Sequence, residues 1–521
     1  MKERADSSRR ARRASWAWAG ALAALLAGCP EAKPPSSSGG RSASTTPQTA
    51  LRDHALATAT TVTASAAPAR SSPGKLASVR LDGVRHVRQK PDFCGEADAV
   101  MALEALGKRW TQDQIFAVSG MDPARGMGAT TRELKTALEH VGFRVGPVWN
   151  HVDVAEASRG LEEQFAALHA DLQRKVPSIV CMHYDDGPHS SEHFRLVLGY
   201  DADSNEVLYH EPAEDDGAYR RMSRAAFLKR WPLKYERDRW TVIRFRLEPG
   251  TLREPPAAAG RHSPADFAQH VMKLKRGLPP GFTIVVEPPF VVLGDEAPAM
   301  VRKRAASTVR WAVERLKRAY FAKDPDRILN IWLFRDDRSY RHHARAFFGE
   351  DPSTPYGYYS DRHRALVMNI STGGGTLVHE IVHPFVEANF PECPAWFNEG
   401  LGSLYEQSSS RDGEIVGLTN WRLAGLQRAI AAGVVPSFRT LTATTSHQFY
   451  EQDPGTNYAQ ARYLVYYLQE RGLVRRYYRQ FYAHRRADPT GYLTLQRVLG
   501  TRDMKAFQQQ WETYVTKLRF P

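Results

Sequence analysis

The motif His-Glu-Ile-Val-His at positions 379–383 strongly limits how the second half of this chain can fold. On a helix, residues four positions apart lie on one face, so His379 and His383 would direct two imidazoles towards one point. Glu380 lies at the edge of the same face. Two imidazoles so arranged suit a single metal ion, and the motif therefore predicts a helix that presents two ligands and an acid.

The residues around this motif favour a buried helix. Leu377, Ile381 and Phe385 recur at helical spacing, and Thr376 follows three glycines as a candidate N-cap. Pro384 directly follows the second histidine, and we expect it to kink or end the helix there. The alternative interpretation is an ordinary surface or core helix that contains two histidines.

A third ligand is available downstream, in Trp-Phe-Asn-Glu-Gly-Leu at 396–401. Pro394 suits the first turn of a second helix, and Glu399 would reach the imidazoles from it. Fifteen residues separate His383 from Glu399. Three protein ligands leave one position open for water, as catalytic zinc sites require, so Zn is the expected cofactor. Glu380 would accept a proton from the water that zinc activates.

These two motifs resemble those of the gluzincin metallopeptidases, in particular the peptidase MA-like group of bacterial secreted proteins. The resemblance covers about residues 282–518 and implies a thermolysin-like zinc-peptidase domain with a helical C-terminal part. It implies that His379, His383 and Glu399 hold zinc, and that Glu380 is the base in peptide-bond hydrolysis.

The same resemblance makes two finer predictions. Gluzincins align substrate on an edge strand above the zinc helix, which by analogy is residues 365–370. In the aminopeptidase branch a tyrosine about sixty residues after the glutamate ligand stabilises the oxyanion, and Tyr458 lies 59 residues after Glu399. An ordinary tyrosine on an amphipathic helix is the alternative for Tyr458. The interval from His383 to Glu399 is shorter than in aminopeptidases, so their substrate preference is not carried over.

The first 28 residues have the pattern of a secretory signal. Four arginines precede an apolar run at 14–27, which is too short for a comfortable membrane span. It ends in Leu-Ala-Gly-Cys, which resembles the lipobox of bacterial lipoproteins and implies that Cys29 becomes the acylated N-terminus. The protein is then extracytoplasmic and anchored to the membrane through its lipid; a plain secretory signal is the alternative. Residues 29–80 are rich in Ser, Ala, Pro and Thr and predict a flexible tether.

The charge of the chain argues against a nucleic-acid partner. Residues 1–80 contain 12 Lys and Arg and 4 Asp and Glu, whereas the remainder contains 59 and 53. The folded part is therefore only mildly basic, and it has no basic block with interleaved aromatic residues. The expected partners are a peptide or protein substrate and, through the lipid, a membrane.

Residues 81–250 are predicted to form an α+β domain. Periodicity and turn signals predict two helices and four strands: a helix from Cys94 to about Gly107, a helix at 130–141, and strands at 177–182, 193–200, 206–209 and 240–245. The second and third strands are expected to pair as a hairpin.

Three residues of this domain could form a nucleophilic site. Cys94 begins a helix, where the macrodipole and free N–H groups favour thiolate. His193 begins a strand and could be its base, and Glu211 follows the next strand and could orient the imidazole. This arrangement resembles the papain-like bacteriocin-processing, or double-glycine, cysteine peptidases, which implies that Gln89 supplies an oxyanion donor. Glu96 stands where that family has proline, and Glu211 where it has aspartate.

Two alternatives remain for this domain. Cys94 and His193 can be a structural cysteine and a packed strand histidine in an inactive or binding-only version of the fold. Cysteine–histidine chemistry also serves any acyl transfer, so the domain could be an amidase that acts on peptidoglycan.

The sequence as a whole therefore predicts two α+β domains, papain-like at 81–250 and gluzincin-like at 282–521, joined by a linker at 251–281. The predicted function is that of a lipid-anchored zinc metallopeptidase fused to a domain with a cysteine-peptidase-like site. The alternative is a non-catalytic lipoprotein that binds peptides or cell wall. Glu380 distinguishes the peptidase from the binding protein, because hydrolysis requires this residue and binding does not.

Overall fold

The computed structural model of the protein describes residues 76–257, 260–360 and 362–520. The predicted signal segment, Cys29 and most of the predicted tether lie outside the described residues. Within the described part, none of the helices combines the length and the apolar character that a bilayer crossing requires.

An antiparallel sheet forms the centre of the first domain. Its described strands are β1 Val79–Arg80, β3 Trp149–Asp153, β4 Ser178–His183, β5 Glu192–Asp201, β6 Glu206–His210, β7 Arg220–Ser223 and β8 Arg239–Arg246. Their order is β3-β8-β4-β5-β6-β7, with β1 also paired to β5. The short strands β2 Phe143–Arg144 and β9 Glu248–Pro249 pair separately.

Helices cover both faces of this sheet. They are α1 Cys94–Ala105, α2 Gln112–Ser119, α3 Thr131–Val141, α4 Ala157–Gln173 and α5 Arg224–Arg230. Alternate residues of a strand point to opposite faces, and β5 shows the consequence. Phe194 and Leu196 pack in the core formed with α1 and α3, whereas Val197 packs in the core formed with α4.

Most predictions for this domain are confirmed. The helix at Cys94, the helix α3 and the β5–β6 hairpin all form. The predicted strand at 240–245 forms as β8 and lies inside the sheet, because β3, which the sequence analysis did not find, pairs along its outer side.

The predicted linker contains a helix that packs against both domains. Helix α6, Pro264–Lys275, begins with a capping box in which Ser263 and Asp266 exchange hydrogen bonds. Its Ala268 packs in a core with Phe93, the residue before Cys94, and its Val271 packs in the core of the second sheet. This part of the linker is therefore an integral structural element of both domains.

The second domain is built on a mixed sheet. Its strands are β10 Thr283–Glu287, β11 Phe290–Gly294, β12 Leu329–Phe334, β13 Gly357–Ser360 and β14 Ala365–Asn369. The order is β10-β11-β12-β14-β13, in which β14 runs parallel to β12 and antiparallel to β13.

This order corrects the predicted substrate strand. Residues 365–370 were expected at the sheet edge, but β14 lies inside the sheet and all its residues are buried. The strand at this edge of the sheet is β13, and β10 lies at the opposite edge. A continuous apolar run such as that of β14 favours burial on both faces, and the chain folds β13 back over it.

The rest of the second domain is mostly helical. Its helices are α7 Pro298–Arg304, α8 Trp311–Ala319, α9 Asp337–His343, α10 Gly375–Asn389, α11 Ala395–Leu404, α12 Arg422–Ala431, α13 Phe438–Thr442, α14 Ser446–Glu451, α15 Pro454–Glu470, α16 Val474–His484, α17 Tyr492–Leu499 and α18 Met504–Lys517. Wider π-helical turns link α7 to α8 and follow α9. A hairpin of β15 Ser408–Arg411 and β16 Glu414–Gly417 follows α11.

Helix α10 differs from its prediction at two places. It continues through Pro384 to Asn389, and its N-cap is Gly374, whereas Thr376 lies inside the helix. Leu377, Ile381 and the residues after the proline are buried in one large core. Because packing holds both halves of α10, the backbone hydrogen bond that proline removes does not end the helix.

Candidate functional site

The two histidines of α10 and Glu399 of α11 converge at one buried point. Single ligand atoms from His379, His383 and Glu399 lie within 4.8 Å of one another. Glu399 Oε2 is 3.2 Å from His379 Nε2 and 3.9 Å from His383 Nε2. Two imidazoles and one carboxylate at this spacing are a suitable ligand set for zinc with an open coordination position.

Three further side chains orient these ligands. His379 Nδ1 lies 3.2 Å from Glu406 Oε1, and His383 Nδ1 lies 3.0 Å from Asn398 Oδ1. The Tyr450 hydroxyl donates to Glu399 Oε1 at 2.7 Å. An oxygen of Glu406 or Asn398 lies beside each Nδ1 atom, and both Nε2 atoms lie within 4 Å of Glu399 Oε2, an arrangement that suits a metal site.

The carboxylate of Glu406 is itself held by three donors. Arg422 donates to its two oxygens at 2.8 and 2.9 Å, and Asn420 Nδ2 donates at 2.9 Å. Burial alone would raise the pKa of Glu406, but Arg422 and His379 hold it well below the usual range. The orienting carboxylate is therefore ionised.

The ligands are electrostatically coupled to one another. Burial alone would raise the pKa of Glu399, yet the two imidazoles and the Tyr450 hydroxyl lower it to about 2. Burial alone would lower the pKa of His379, yet the carboxylates of Glu399 and Glu406 raise it to about 10. The ionised carboxylates thus favour a positive charge at this point, whether a protonated imidazole or a bound cation carries it.

The space around the ligand atoms also fits a metal ion. Gly402 lies opposite the imidazoles, and a Cβ at this position would be 3.2 Å from His383 Cε1 and 3.3 Å from His379 Nε2. Any larger residue here would crowd the two ligands. The donor set and this clearance together fit a zinc ion held by His379, His383 and Glu399.

Two more predicted residues line the cleft above this cluster. The cleft has a volume of about 650 Å³ and includes His379, Glu380 and Tyr458 in its lining. Burial raises the pKa of Glu380, although the histidines oppose the shift. Burial and the nearby carboxylates also raise the pKa of Tyr458, so its hydroxyl keeps its proton and can donate a hydrogen bond. A proton acceptor and a hydrogen-bond donor therefore share the cleft.

In the first domain, the structure brings His193 and Glu211 into direct contact. His193 Nε2 lies 2.5 Å from Glu211 Oε1, and both side chains are buried. A residue that the sequence analysis missed shares this carboxylate: Arg195 Nε donates to Glu211 Oε2 at 2.7 Å. Burial alone would raise the pKa of Glu211, but His193 and Arg195 lower it. The histidine is therefore oriented by an ionised glutamate, as predicted for a general base.

Cys94 contradicts its predicted electrostatics. It begins α1 as expected and contacts the backbone of Phe194, the neighbour of His193. However, burial and the carboxylates of Asp98, Glu96 and Asp92 raise the pKa of its thiol. The expectation of a helix-stabilised thiolate was wrong, because desolvation and nearby acids outweigh the helix terminus here.

The surroundings of Cys94 hold two buried acids. Glu96 Oε1 accepts a hydrogen bond from Ala129 N–H at 2.8 Å, and burial raises the pKa of this glutamate to about 8. Within the described residues, neither carboxylate oxygen of Asp98 has a hydrogen-bond partner, and burial raises its pKa well above the usual value. Gln89 is fixed by its backbone N–H to Pro212 O at 2.9 Å, and its buried Oε1 likewise has no partner in the described part.

Comparison with known proteins bears on the first domain. A family model described as "Peptidase_C39 like family" matches residues 81–237. The peptidase domain of Streptococcus ComA, described as a bi-functional ABC transporter involved in a quorum sensing pathway, is 16% identical over 32% of this chain and 99% of that chain, with a TM-score of 0.22. No curated protein matches the chain.

The family match spans Cys94, His193 and Glu211. It supports the papain-like, cysteine-peptidase-like prediction for the first domain, within a chain of mixed helix and sheet. The match ends before the metal cluster, so the resemblance of residues 282–518 to gluzincins remains a prediction.

Sequence reasoning missed four residues that shape these sites. Arg195 could have been found, because it lies two positions after His193 and therefore on the same face of β5. Asn398 stands directly beside Glu399. Glu406 and Tyr450 carry no local signal, since both reach the ligands through turns of the chain beyond α11.

Proposed function

We propose that this protein is a zinc-dependent peptidase, with His379, His383 and Glu399 as zinc ligands and Glu380 as general base. The observation that carries the proposal is the convergence of the three ligand atoms within 4.8 Å, beside Glu380 in an open cleft. The orienting contacts of Glu406 and Asn398 to the outer nitrogens of both histidines support it further.

Zinc supplies Lewis acidity to such a site and makes a water ligand easier to deprotonate. Glu380 is one residue from a ligand, so its carboxylate accepts the water proton and returns it to the leaving amine. Tyr458 keeps its hydroxyl proton and donates a hydrogen bond to the oxygen on which negative charge develops. Tyr450 has a different task, since its hydroxyl is already engaged in holding Glu399.

The first test is the zinc content of the purified full chain. We expect about one zinc per chain, and loss of that zinc in His379→Ala and Glu399→Ala. His447→Ala is the matched control, because His447 is exposed and pairs with the partly exposed Glu451 on the surface of its own helix. If the full chain binds no zinc after reconstitution, or if both variants keep it, the proposal is wrong.

The second test separates a hydrolase from a scaffold. Glu380→Gln keeps the size of the side chain but cannot accept a proton. We expect it to retain zinc and to lose peptide hydrolysis by about 10²- to 10⁴-fold. Unchanged hydrolysis, or no hydrolysis by the wild type in a broad peptide library, would favour a binding protein.

A second candidate function is acyl transfer at Cys94, with His193 as base and Glu211 as its orienting acid. The family match over residues 81–237 and the 2.5 Å contact of His193 with Glu211 favour it. Cleavage of peptides would support a peptidase, and cleavage of purified cell wall would support an amidase. In either case Cys94→Ser should abolish the activity and Cys393→Ser should leave it unchanged. Absence of both activities would favour the binding-only alternative.

We also propose, from the sequence alone, that Cys29 carries a lipid and anchors the protein outside the cytoplasm. Cells fed a labelled fatty acid should label the full chain, and Cys29→Ser should abolish the label. Label that persists in this variant would contradict the proposal.

A further inference from the structure

Aromatic side chains form much of the wall of the cleft above the proposed zinc ligands. Trp311, Tyr356, Trp421 and Tyr458 all line it. Trp421 and Tyr356 remain 55% and 42% exposed. Exposed aromatic surface that is concentrated in a concave site, rather than scattered over a protein, is typical of ligand contact.

Trp421 is held in a defined place relative to the metal cluster. The Arg422 guanidinium lies 4.2 Å from the Trp421 ring centroid, so it covers one part of the indole. The same guanidinium bonds to Glu406, which lies 3.2 Å from His379. The indole is thus a preordered surface, three contacts away from a zinc ligand.

The charges of the cleft are balanced among themselves. Apart from tyrosines, its described lining contains four ionisable side chains, namely His379, Glu380, Glu406 and Arg422. Glu406 and Arg422 neutralise each other through two hydrogen bonds. His379 is a proposed ligand and Glu380 the proposed base. The described lining therefore offers no spare cation or anion for the terminal carboxylate or ammonium group that an exopeptidase must bind.

Small residues complete the lining on the side of α10. Gly373, Gly374 and Gly375 lie in the cleft wall, and Gly375 cannot be larger because a Cβ would be 2.1 Å from Glu406 O. A Cβ on Gly373, by contrast, would have no neighbour within 4 Å, so the cleft wall is open at this position and a peptide chain could continue past it.

We propose that the site is an endopeptidase that prefers an aromatic or large aliphatic side chain beside the cleaved bond, and that Trp421 is the main contact for that side chain. This inference rests on the proposed zinc peptidase function. It adds the substrate class, the internal position of the bond and a specificity-determining residue.

The test measures binding as well as cleavage. Zinc-loaded full-length Glu380→Gln is titrated by calorimetry with peptides acetylated and amidated at their ends, with Phe, Leu, Lys or Asp at the central position. We expect Phe and Leu peptides to bind at least about tenfold more tightly than the charged ones. Adding Trp421→Ala should remove that difference, while Trp421→Phe should retain most of it.

The control variant is Trp149→Ala, which removes a tryptophan that is 42% exposed in the first domain. It should leave binding unchanged, and zinc content should be equal in all variants. Tight binding that Trp421→Ala does not weaken, or a preference for charged peptides, would overturn the inference.

Cleavage by the wild type supplies the second measurement. Peptides with blocked ends should be cleaved as fast as the same peptides with free ends. A requirement for a free end would overturn the endopeptidase assignment while the zinc peptidase proposal stands. If no peptide is cleaved but aromatic peptides still bind through Trp421, the proposed hydrolysis fails and the aromatic recognition surface stands.

Discussion

The metal cluster and the cysteine site use the same side-chain types with opposite electrostatic results. In the metal cluster, Glu399 and Glu406 are buried but ionised, because histidines and Arg422 surround them. Around Cys94, the buried acids Glu96 and Asp98 have raised pKa values and in turn raise that of the thiol. Burial is common to both sites, so the partners of each carboxylate decide whether it carries charge.

This difference matters because the two chemistries need opposite surroundings. A cation is stabilised by nearby ionised carboxylates, whereas a thiolate is destabilised by them. The metal cluster therefore has the charged surroundings that a zinc ion would need. The cysteine site has an oriented histidine, but the charged groups that act on the Cys94 thiol in the described part of the chain are the acids Asp98, Glu96 and Asp92. Variants in both sites can test this difference.

The largest expected effect is on stability, in Glu96→Gln. The pKa of Glu96 rises from 4.5 to about 8 on folding, so the folded state binds this proton more tightly than the unfolded state. The contribution to stability is complete below pH 4.5 and falls by up to about 1.4 kcal/mol per pH unit as the pH rises towards 8. Glutamine cannot ionise, so the variant should lose this slope.

The measurement is hydrogen exchange of the α1 amides between pH 5 and pH 8, corrected for the intrinsic pH dependence of exchange. Glu104→Gln is the control on the same helix, because its carboxylate pairs with Arg85 near the surface. If wild type and Glu96→Gln show the same pH dependence, Glu96 is ionised in the folded protein and the contrast between the sites disappears.

The next effect separates the two tyrosines of the metal site. Tyr458→Phe should lower kcat about 100-fold without loss of zinc, because it removes a donor to the developing oxyanion. Tyr450→Phe should instead weaken zinc binding about tenfold, because it releases Glu399. Kinetics and zinc titration on both variants check this, and the reverse pattern would exchange their roles.

Glu406→Gln should weaken zinc binding about 10- to 100-fold, because it removes the charge that orients His379. Competition with a chromogenic chelator measures this affinity. The matched control is Glu414→Gln, whose carboxylate pairs with Arg475 away from the ligands. An unchanged zinc affinity would show that Glu406 pairs with Arg422 but does not contribute to zinc binding.

The smallest effect is on the reactivity of Cys94. Its raised thiol pKa leaves little thiolate at pH 7, so alkylation should be at least about tenfold slower than for a free thiol. Site-resolved mass spectrometry with iodoacetamide and a glutathione standard provides the rate. Fast alkylation of the wild type would favour an active cysteine peptidase.

Site features that arise within one helix or strand could be predicted from the sequence, whereas those that depend on packing between distant elements could not. The spacing of His379 and His383 predicts a shared face because helix geometry is local, and Arg195 could have been added by the same reasoning on β5. Pro384 was misjudged because local propensity was given more weight than the burial of both halves of α10. The interior position of β14 was missed because strand order is decided by pairing partners that sequence patterns do not specify.

The sequence by itself determined the shared face of the two histidines, the choice of Glu399 as the proposed third ligand, the helix that begins at Cys94 and the hairpin that carries His193. All of these follow from periodicity within one or two elements. Only the tertiary structure decided that Glu406 contacts His379 and Tyr450 contacts Glu399, that α6 packs with both domains, and that Cys94 lies among buried acids. Charge and solvation are sums over everything that packs nearby, so neighbours distant along the chain set them.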